Sequence, residues 1–333
     1  MCLNKKKEVR TLEDIIRRMP KIDLHCHLDG SLTLESVRKI TGREVAPEEL
    51  QAEERCRDLA EYLKKFDIPI ACLKTAEALK TAARDFLLEA AKEHICYMET
   101  RFAPLHSAGE GLDAAGAVEA VLEGLKEAEE ICHVRWGLIV CAMRHHSQED
   151  NLAMLKACRA YLGEGVCAAD LAGDEASFPM KNYMELFREA RKLDYPFTIH
   201  AGECGNAENI RDAVECGASR IGHGIAMSGR PDIQRLCREK RIGIEMCPVS
   251  NIQTRAASSP ESYPLREFME AGLMVTLNTD NRTVSRTSIA REMEFARTYC
   301  GVTEEELAAL ERNAVDVLFA DDGVKHELWK LWN

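Results

Sequence analysis

The chain has 333 residues, of which 46% are apolar, and it carries a net charge of −12 at pH 7. This length can bury a large core as one α/β barrel or as two smaller domains. The acidic balance argues against nucleic acid as a partner, because proteins that bind a phosphate backbone normally present a basic face. No segment approaches the roughly 20 apolar residues of a membrane helix, so we expect no membrane partner.

Fourteen cysteines are present, but none has the CxxC spacing of zinc ribbons and thioredoxin-type pairs. The N-terminal segment lacks the apolar stretch of a secretory signal. Scattered thiols without an export signal predict a reduced, cytoplasmic protein. No feature of the sequence indicates a protein partner.

Short β-rich runs alternate with longer helical stretches, which predicts parallel strands joined by right-handed crossovers. Eight such strands at this length predict an α/β fold of the TIM type, a closed (β/α)8 barrel. We find no linker or repeat, and we therefore predict a single domain over residues 1–333. The predicted strands are Ile22–Leu28, Tyr97–Phe102, Val134–Ala142, Val166–Leu171, Phe197–His200, Arg220–His223, Ile242–Met246 and Met274–Asn278. The clearest predicted helices are Ala76–Glu93, Ala114–Glu130, Asn182–Lys192 and Ser285–Tyr299.

The interval between the first two predicted strands is unusually long. It contains helical patterns around Leu34–Ile40, Leu59–Phe66 and Ala76–Glu93. We interpret it as a helical insertion over the mouth of the barrel, spanning about residues 31–94.

Two histidines, His25 and His27, lie one residue apart at the end of the first strand. Alternate side chains of a strand share a face, so both imidazoles point into the same space. His200 and Asp280 end the fifth and eighth strands, and barrel active sites form at these carboxyl ends. Three imidazoles and one carboxylate with an open position are typical of a catalytic zinc site. The sequence therefore predicts one zinc ion per chain, held by His25, His27, His200 and Asp280.

Two further polar residues lie at neighbouring strand ends. His223 is flanked by glycines and could hold, deprotonate or stabilise an attacking hydroxide, whereas its structural alternative is a buried core histidine. Glu203 lies three residues past His200 and could pass a proton if burial raises its pKa, although most glutamates are simply exposed. Beside the predicted metal ligands we favour the catalytic interpretation of both. Glu245, inside the seventh strand, could contact a site histidine or pair with an arginine.

Other motifs are missing from the sequence. It contains no HExxH, no HxE…PCxxC, no GxGxxG and no Walker A loop. We interpret the remaining histidines as structural, with His145 as the strongest exception because it closes the third strand.

Six segments together resemble the adenosine deaminase family of zinc-dependent barrel hydrolases, and they follow the family's order. These segments are Lys21–Ser31 (KIDLHCHLDGS), Asp170–Glu175 (DLAGDE), Thr198–Glu203 (TIHAGE), Arg220–Gly224 (RIGHG), Glu245–Ser250 (EMCPVS) and Asn278–Asp280 (NTD).

The resemblance implies hydrolysis of adenosine to inosine and ammonia, in purine salvage, with zinc bound by the four residues named above. It implies that Glu203 protonates purine N1 and that His223 and Asp280 position the attacking hydroxide. Gly173 would contact the purine and Asp29 a ribose hydroxyl, while Phe66 would cover the site and His27 would also face the substrate.

One departure from the family pattern follows the zinc-binding aspartate. Asn281 and Arg282 stand where many members have a second aspartate and a proline. An asparagine amide can donate to purine N7 at any pH, whereas a carboxyl must first be protonated. We therefore expect Asn281 to keep this substrate contact.

The resemblance also implies that the substrate is a small-molecule purine nucleoside, including 2′-deoxyadenosine. The related adenine deaminases tend to have glutamate where Asp29 stands, and the shorter side chain leaves room for a sugar. The alternatives are a deaminase of another purine, such as adenine or a 5′-modified adenosine, and a non-catalytic relative that only binds nucleosides.

Overall fold

A computed structural model describes residues 12–332. The predicted domain limits at residues 1 and 333 lie outside this range. Eight strands occur within it, each followed by at least one helix. They are β1 (Lys21–His27), β2 (Ile95–Phe102), β3 (Arg135–Met143), β4 (Val166–Ala172), β5 (Thr198–Ala201), β6 (Arg220–His223), β7 (Gly243–Met246) and β8 (Met274–Leu277).

The α-helices are numbered in chain order from the amino-terminal end of the described residues. They are α1 (Leu12–Arg18), α2 (Leu34–Thr41), α3 (Pro47–Leu50), α4 (Leu59–Leu63), α5 (Asp67–Cys72), α6 (Ala76–Ala91), α7 (Pro104–Ser107), α8 (Ala114–Cys132), α9 (Gln148–Cys158), α10 (Met184–Lys192), α11 (Ala207–Cys216), α12 (Pro231–Glu239), α13 (Pro248–Gln253), α14 (Leu265–Glu270), α15 (Ile289–Cys300), α16 (Glu304–Val317) and α17 (Asp322–Trp329).

The strands pair in parallel as two four-stranded sheets, β1–β4 and β5–β8. Both seams between the sheets carry backbone hydrogen bonds. Ala169 N donates to Pro196 O at 3.0 Å, and at the other seam Asp280 N donates to His25 O at 2.7 Å while His27 N donates to Asp280 O at 2.7 Å. The sheets therefore close into one barrel, which confirms the predicted fold. The second seam also places Asp280 directly beside the two histidines of β1.

Most predicted element boundaries differ from the structure by a few residues, for local reasons. β8 ends at Leu277 because Asn278 turns its side chain to the barrel seam, where Oδ1 accepts from Leu24 N at 3.0 Å. The helix predicted from Ser285 begins at Ile289 because the Ser288 side chain caps it by accepting from Arg291 N at 3.2 Å. β3 starts at Arg135, two residues after His133 ends α8 in a left-handed conformation.

Helices α2 to α6 occupy the long interval between β1 and β2. Of these, α6 packs closely on α8: a Cβ at Gly124 would lie 2.2 Å from Lys80 O, so only glycine permits this approach. Such packing is typical of the barrel's outer helical ring. The extent of a helical insertion at about 31–94 stays a prediction.

Buried charges occupy the barrel interior beneath the carboxyl ends of the strands. Glu245 on β7 accepts from Arg220 Nε at 2.6 Å and from Arg101 Nη2 at 3.0 Å. Arg101 also donates to Asp170 at 2.8 Å, and Arg220 donates to Glu99 at 2.5 Å. Every one of these side chains is fully buried, so each charge needs the opposite charges around it.

None of the cysteines in the described part of the chain forms a disulfide. In residues 12–332, no helix combines the length and the apolar composition that crossing a bilayer requires.

Candidate active site

Four potential metal ligands meet at the carboxyl end of the barrel. One ligand atom each from His25, His27, His200 and Asp280 lies within 4.8 Å of the others. The Nε2 atoms of His27 and His200 are 3.2 Å apart, and Asp280 Oδ1 lies 3.5 Å from His25 Nε2 and 3.6 Å from His27 Nε2. The structure thus brings together the four residues that the sequence analysis selected as ligands.

Carboxylates behind the cluster orient two of its imidazoles. Glu245 Oε2 accepts from His25 Nδ1 at 2.7 Å, and Asp170 Oδ2 accepts from His200 Nδ1 at 2.9 Å. With the proton on Nδ1, each ring directs the lone pair of Nε2 into the cluster. Glu245 also pairs with two arginines, so both alternatives considered for it from the sequence are realised.

Asp280 has an unusual backbone conformation, with φ of 58° just after β8. A non-glycine residue rarely adopts this left-handed region, and such strain persists where the surrounding contacts impose it. Burial alone would raise the pKa of the Asp280 carboxyl. The close contact with His25, whose Nε2 lies 3.5 Å from Oδ1, and the neighbouring imidazoles outweigh that effect and hold the pKa of Asp280 well below its usual range, so Asp280 is ionised.

His223 also lies in the left-handed region, with φ of 66°, at the end of β6. Its Nδ1 accepts a hydrogen bond from Asn251 Nδ2 at 3.0 Å, and the Asn251 amide is oriented by Tyr263, whose hydroxyl donates to Oδ1 at 3.0 Å. Burial lowers the pKa of His223 well below its usual value. The ring is therefore neutral, with its proton on Nε2, which lies 3.7 Å from Glu203 Oε2.

Glu203 is a buried carboxyl beside the ligand cluster. Burial raises its pKa to about 8, together with the negative charges of Asp280 and Glu175. Glu203 is therefore mostly protonated at neutral pH and has a proton to donate.

Glu175, which the sequence analysis did not single out, holds the loop that carries Glu203. Its carboxylate accepts hydrogen bonds from the backbone N–H groups of Gly202 at 2.6 Å, Glu203 at 2.8 Å and Cys204 at 3.0 Å. Asn209 Nδ2 donates a fourth hydrogen bond at 2.7 Å. A buried carboxylate with four donors fixes the direction in which Glu203 projects.

A cavity of about 290 Å³ opens beside the ligand cluster. Asp29 lines it, with Oδ1 accepting from Gly30 N at 2.9 Å, and burial raises the pKa of Asp29 to about 6. Gly173 lines it just after β4 with φ of 103°, a conformation that favours glycine. Phe66 and Tyr62 also line the cavity and pack against each other, with ring centroids 6.1 Å apart.

Asn281 also lines the cavity, next to Asp280. One hydrogen of its amide is donated to the Tyr62 hydroxyl at 2.9 Å, and its Oδ1 is buried without a hydrogen-bond partner among the described residues. A Cβ at Gly30 would lie only 1.8 Å from that oxygen, so glycine at position 30 makes room for the Asn281 side chain. The second amide hydrogen remains available to a ligand.

The sequence model of the adenosine deaminase family matches residues 20–331. The chain belongs to the adenosine deaminase family. It is 41% identical over 312 residues to an adenosine deaminase of Enterococcus faecalis, which covers 91% of this chain and 93% of that one. It is 40% identical over 324 residues to an adenosine deaminase of Clostridium botulinum, with 94% and 96% covered. The resemblance is thereby confirmed, and the chain is a deaminase of the hydrolase class.

Solved structures share the fold over nearly the whole chain. The N6-methyl-AMP deaminase from Arabidopsis thaliana superposes with a TM-score of 0.84 at 26% identity, covering 96% of this chain and 98% of that one. An amidohydrolase from Burkholderia ambifaria, solved with bound zinc, superposes with a TM-score of 0.87 at 20% identity, covering 98% and 94%. These neighbours confirm the barrel fold.

Several residues that shape this adenosine deaminase family site were not selected from the sequence. Asp170 and Glu175 lie inside the segment DLAGDE, but their partners His200 and Glu203 are about 30 residues away. Asn251 and Tyr62 act through side-chain hydrogen bonds that no spacing predicts. The acidic residues in a segment already assigned to the family were the signal that could have indicated the first two.

Proposed function

We propose that this protein hydrolyses adenosine and 2′-deoxyadenosine to the corresponding inosine and ammonia, with one catalytic zinc ion per chain. The observation that carries the proposal is the convergence of three imidazoles, one ionised carboxylate and one protonated carboxyl on a single cavity. The names of the relatives, adenosine deaminase in both bacteria, support the same substrate.

The donor set fits zinc. His25 Nε2 is a buried ring nitrogen without a hydrogen-bond partner among the described residues, and it faces the carboxylate of Asp280. Burial lowers the pKa values of His27 and His200, so both rings are neutral and can offer a lone pair. Zinc held by His25, His27, His200 and Asp280 would supply a Lewis acid that makes water acidic enough to attack at neutral pH.

Glu203 acts as the general acid in this proposal. Its protonated carboxyl donates to N1 of the purine, which draws electron density from C6 and prepares that carbon for attack by water. Glu175 keeps the carboxyl in place through the backbone of residues 202–204.

His223 and Asp280 orient the attacking water. The neutral His223 ring presents Nε2–H to the oxygen that adds to C6, and so stabilises the negative charge that develops there. The ionised Asp280 carboxylate accepts a hydrogen bond from the same water. As its oxygen bonds to C6, which becomes tetrahedral, the water gives one proton to the Asp280 carboxylate. Asp280 passes that proton to the amino group, the C6–N bond breaks and ammonia leaves. The remaining hydroxyl proton returns to the Glu203 carboxylate as the carbonyl of inosine forms.

The remaining lining residues hold the nucleoside. Asp29 accepts a hydrogen bond from a ribose hydroxyl, Gly173 lets the purine approach the backbone, Asn281 donates to N7, and Phe66 covers the base, with His27 on the metal side. The lining residues that the structure describes include no lysine or arginine. A 5′-phosphate would therefore find no permanent cation, which favours a nucleoside over a nucleotide.

The protein's compartment is part of the same proposal. The free thiols of the described residues support the expectation of a reducing, cytoplasmic environment.

A spectrophotometric comparison of adenosine, 2′-deoxyadenosine, adenine and AMP, with metal analysis on the same sample, tests the proposal. We expect both nucleosides to be deaminated in preference to adenine and AMP. One zinc ion should be bound by His25, His27, His200 and Asp280, which together form the catalytic cluster. His25→Ala should lose this ion and the activity together. A preference for adenine would contradict the assigned substrate, and full activity in His25→Ala would contradict the assigned ligands.

A further inference from the structure

A second group of histidines lies at the same end of the barrel as the catalytic cluster. His106 is in α7, which follows β2, while His145 and His146 follow β3. One ring nitrogen of each residue lies within 4.8 Å of the other two. The closest pair is His106 Nε2 and His145 Nε2, which are 3.2 Å apart.

The three rings are packed together, with His145 exposed and His106 and His146 partly buried. The rings of His106 and His145 are stacked with centroids 5.3 Å apart, and those of His145 and His146 are 4.5 Å apart. Two ring nitrogens that face each other at 3.2 Å can share only one proton. At least one lone pair therefore points into the group.

Two nitrogens of the group are buried without a hydrogen-bond partner among the described residues. They are His106 Nδ1 and His146 Nε2. Buried polar atoms are normally paired, so the unpartnered His146 Nε2 indicates that a ligand completes the cluster; His106 Nδ1 points away from the Nε2 that faces His145 and does not contribute to this argument.

The electrostatic surroundings keep these rings neutral. Burial, with the neighbouring histidines and Lys74 adding to it, lowers the pKa of His106 to about 4. Burial also lowers the pKa values of His145 and His146. A site for an anion would need protonated imidazoles, whereas neutral imidazoles are ligands for zinc, copper and nickel.

We propose that His106, His145 and His146 bind a second divalent transition-metal ion, Zn²⁺ among them, at the rim of the substrate cavity. The spacing of 3.2 Å between two of the nitrogens suits this use. With Zn–N bonds of about 2.0–2.1 Å, two nitrogens on one tetrahedral ion lie roughly 3.4 Å apart. Three histidines and an open position make a complete site without further protein ligands.

The position of this site gives it a consequence for catalysis. His106 and His145 line the cavity that also contains Glu203 and His200, whereas His146 is outside the lining. An ion bound here narrows the approach to the cavity without touching the catalytic cluster. Zinc in excess of the catalytic ion therefore raises KM for the nucleoside.

Equilibrium dialysis of the chelator-treated full-length chain against buffered free Zn²⁺ tests the site directly. We expect two ions per chain in the wild type and in His326→Ala, which removes an exposed histidine outside both clusters. We expect one ion in His146→Ala and one in His25→Ala, each variant losing a different site. A wild-type chain that binds a single ion, absent from His25→Ala, would overturn the proposal, as would two ions in His146→Ala.

Kinetics with increasing free Zn²⁺ test the consequence. His146→Ala should keep the basal kcat and KM, which also shows that it folds, and its KM should no longer rise with zinc. An equal rise in KM in the wild type and His146→Ala would overturn the inhibitory role. The ion stoichiometry does not depend on the substrate, so failure of this proposal is distinguishable from failure of the proposed deaminase reaction.

Discussion

His25 Nδ1 lies 2.7 Å from Glu245 Oε2, deep in the barrel, while Glu245 also pairs with Arg101 and Arg220. One carboxylate thus orients a proposed metal ligand and neutralises the buried cations beneath it. The metal cluster and the core of the barrel are therefore built on the same residue.

Glu245→Gln should weaken zinc binding by roughly 10–100-fold, because a neutral amide orients His25 less firmly and lowers its basicity. The variant should also unfold at a lower temperature, since two buried arginines lose their shared negative charge. Zinc titration well below the unfolding temperature separates the two effects. Glu208→Gln, on the exposed first turn of α11, is the control, and equal zinc affinity in both variants would contradict the role of Glu245.

Glu203→Gln should lower kcat by roughly 10²–10⁴, which is the usual contribution of a general acid. The amide keeps the size of the side chain but has no proton to give to N1. Because Glu203 is not one of the four proposed ligands, zinc should stay bound at the catalytic cluster, and metal analysis checks this point. A variant that holds zinc and turns over at the wild-type rate would favour the alternative that the protein's chemistry does not use Glu203.

The positions of the proposed catalytic residues could be predicted because they depend on local patterns. His25 and His27 share a strand face, and the strands of a barrel end at one edge, so residues at strand ends meet there. The supports behind them could not be predicted. Glu175 reaches the backbone of residues 202–204, and Asn251 reaches His223, through contacts that depend on how separate loops pack.

Helix boundaries also could not be predicted, because they depend on capping side chains and backbone conformations that hydrophobic periodicity does not detect. Ser288 shortens the predicted final helix by capping it, and His133 ends α8 by adopting a left-handed conformation. His106 lies 39 residues before His145 in the sequence, and its ring meets those of His145 and His146 only because the segments after β2 and β3 are neighbours.

Gly30→Ala should disturb the cavity, because its Cβ would lie 1.8 Å from Asn281 Oδ1. Relief requires a shift of Asn281, and overpacking of this kind costs about 1–3 kcal/mol. We expect a lower unfolding temperature together with a reduced kcat/KM. Gly109→Ala is the matched control, since nothing lies within 4 Å of a Cβ there. Unchanged kcat/KM in Gly30→Ala would mean that the placement of Asn281 is not critical.

Asn281→Ala should lower kcat/KM for adenosine by about tenfold, the value of roughly one hydrogen bond to the substrate. Asn281→Asp should be active only while its carboxyl is protonated, because an ionised carboxylate cannot donate to N7. Its kcat/KM should therefore fall more steeply with rising pH than that of the wild type. If Asn281→Ala leaves kcat/KM unchanged, the proposed N7 contact is wrong.

Glu292, buried on α15, makes folding stability depend on pH. Burial raises the pKa of its carboxyl from 4.5 to about 8, although Thr287 and the Val249 backbone donate hydrogen bonds to it. Between these two pKa values the folded state holds a proton that the unfolded state has released. This stabilisation is fully present below the lower pKa. Between the two pKa values the free energy of unfolding falls by about 1.4 kcal/mol per pH unit, and the stabilisation is lost once the pH has risen through the higher pKa.

Glu292→Gln should therefore reduce the decline in the free energy of unfolding across this pH window. The amide does not titrate, and its oxygen can still accept the hydrogen bond from Val249 N. Urea unfolding of the two proteins at a series of pH values measures the difference. Glu294→Gln, an exposed position on the same helix, should follow the wild type. Parallel pH profiles for Glu292→Gln and the wild type would show that Glu292 is already ionised in the folded protein.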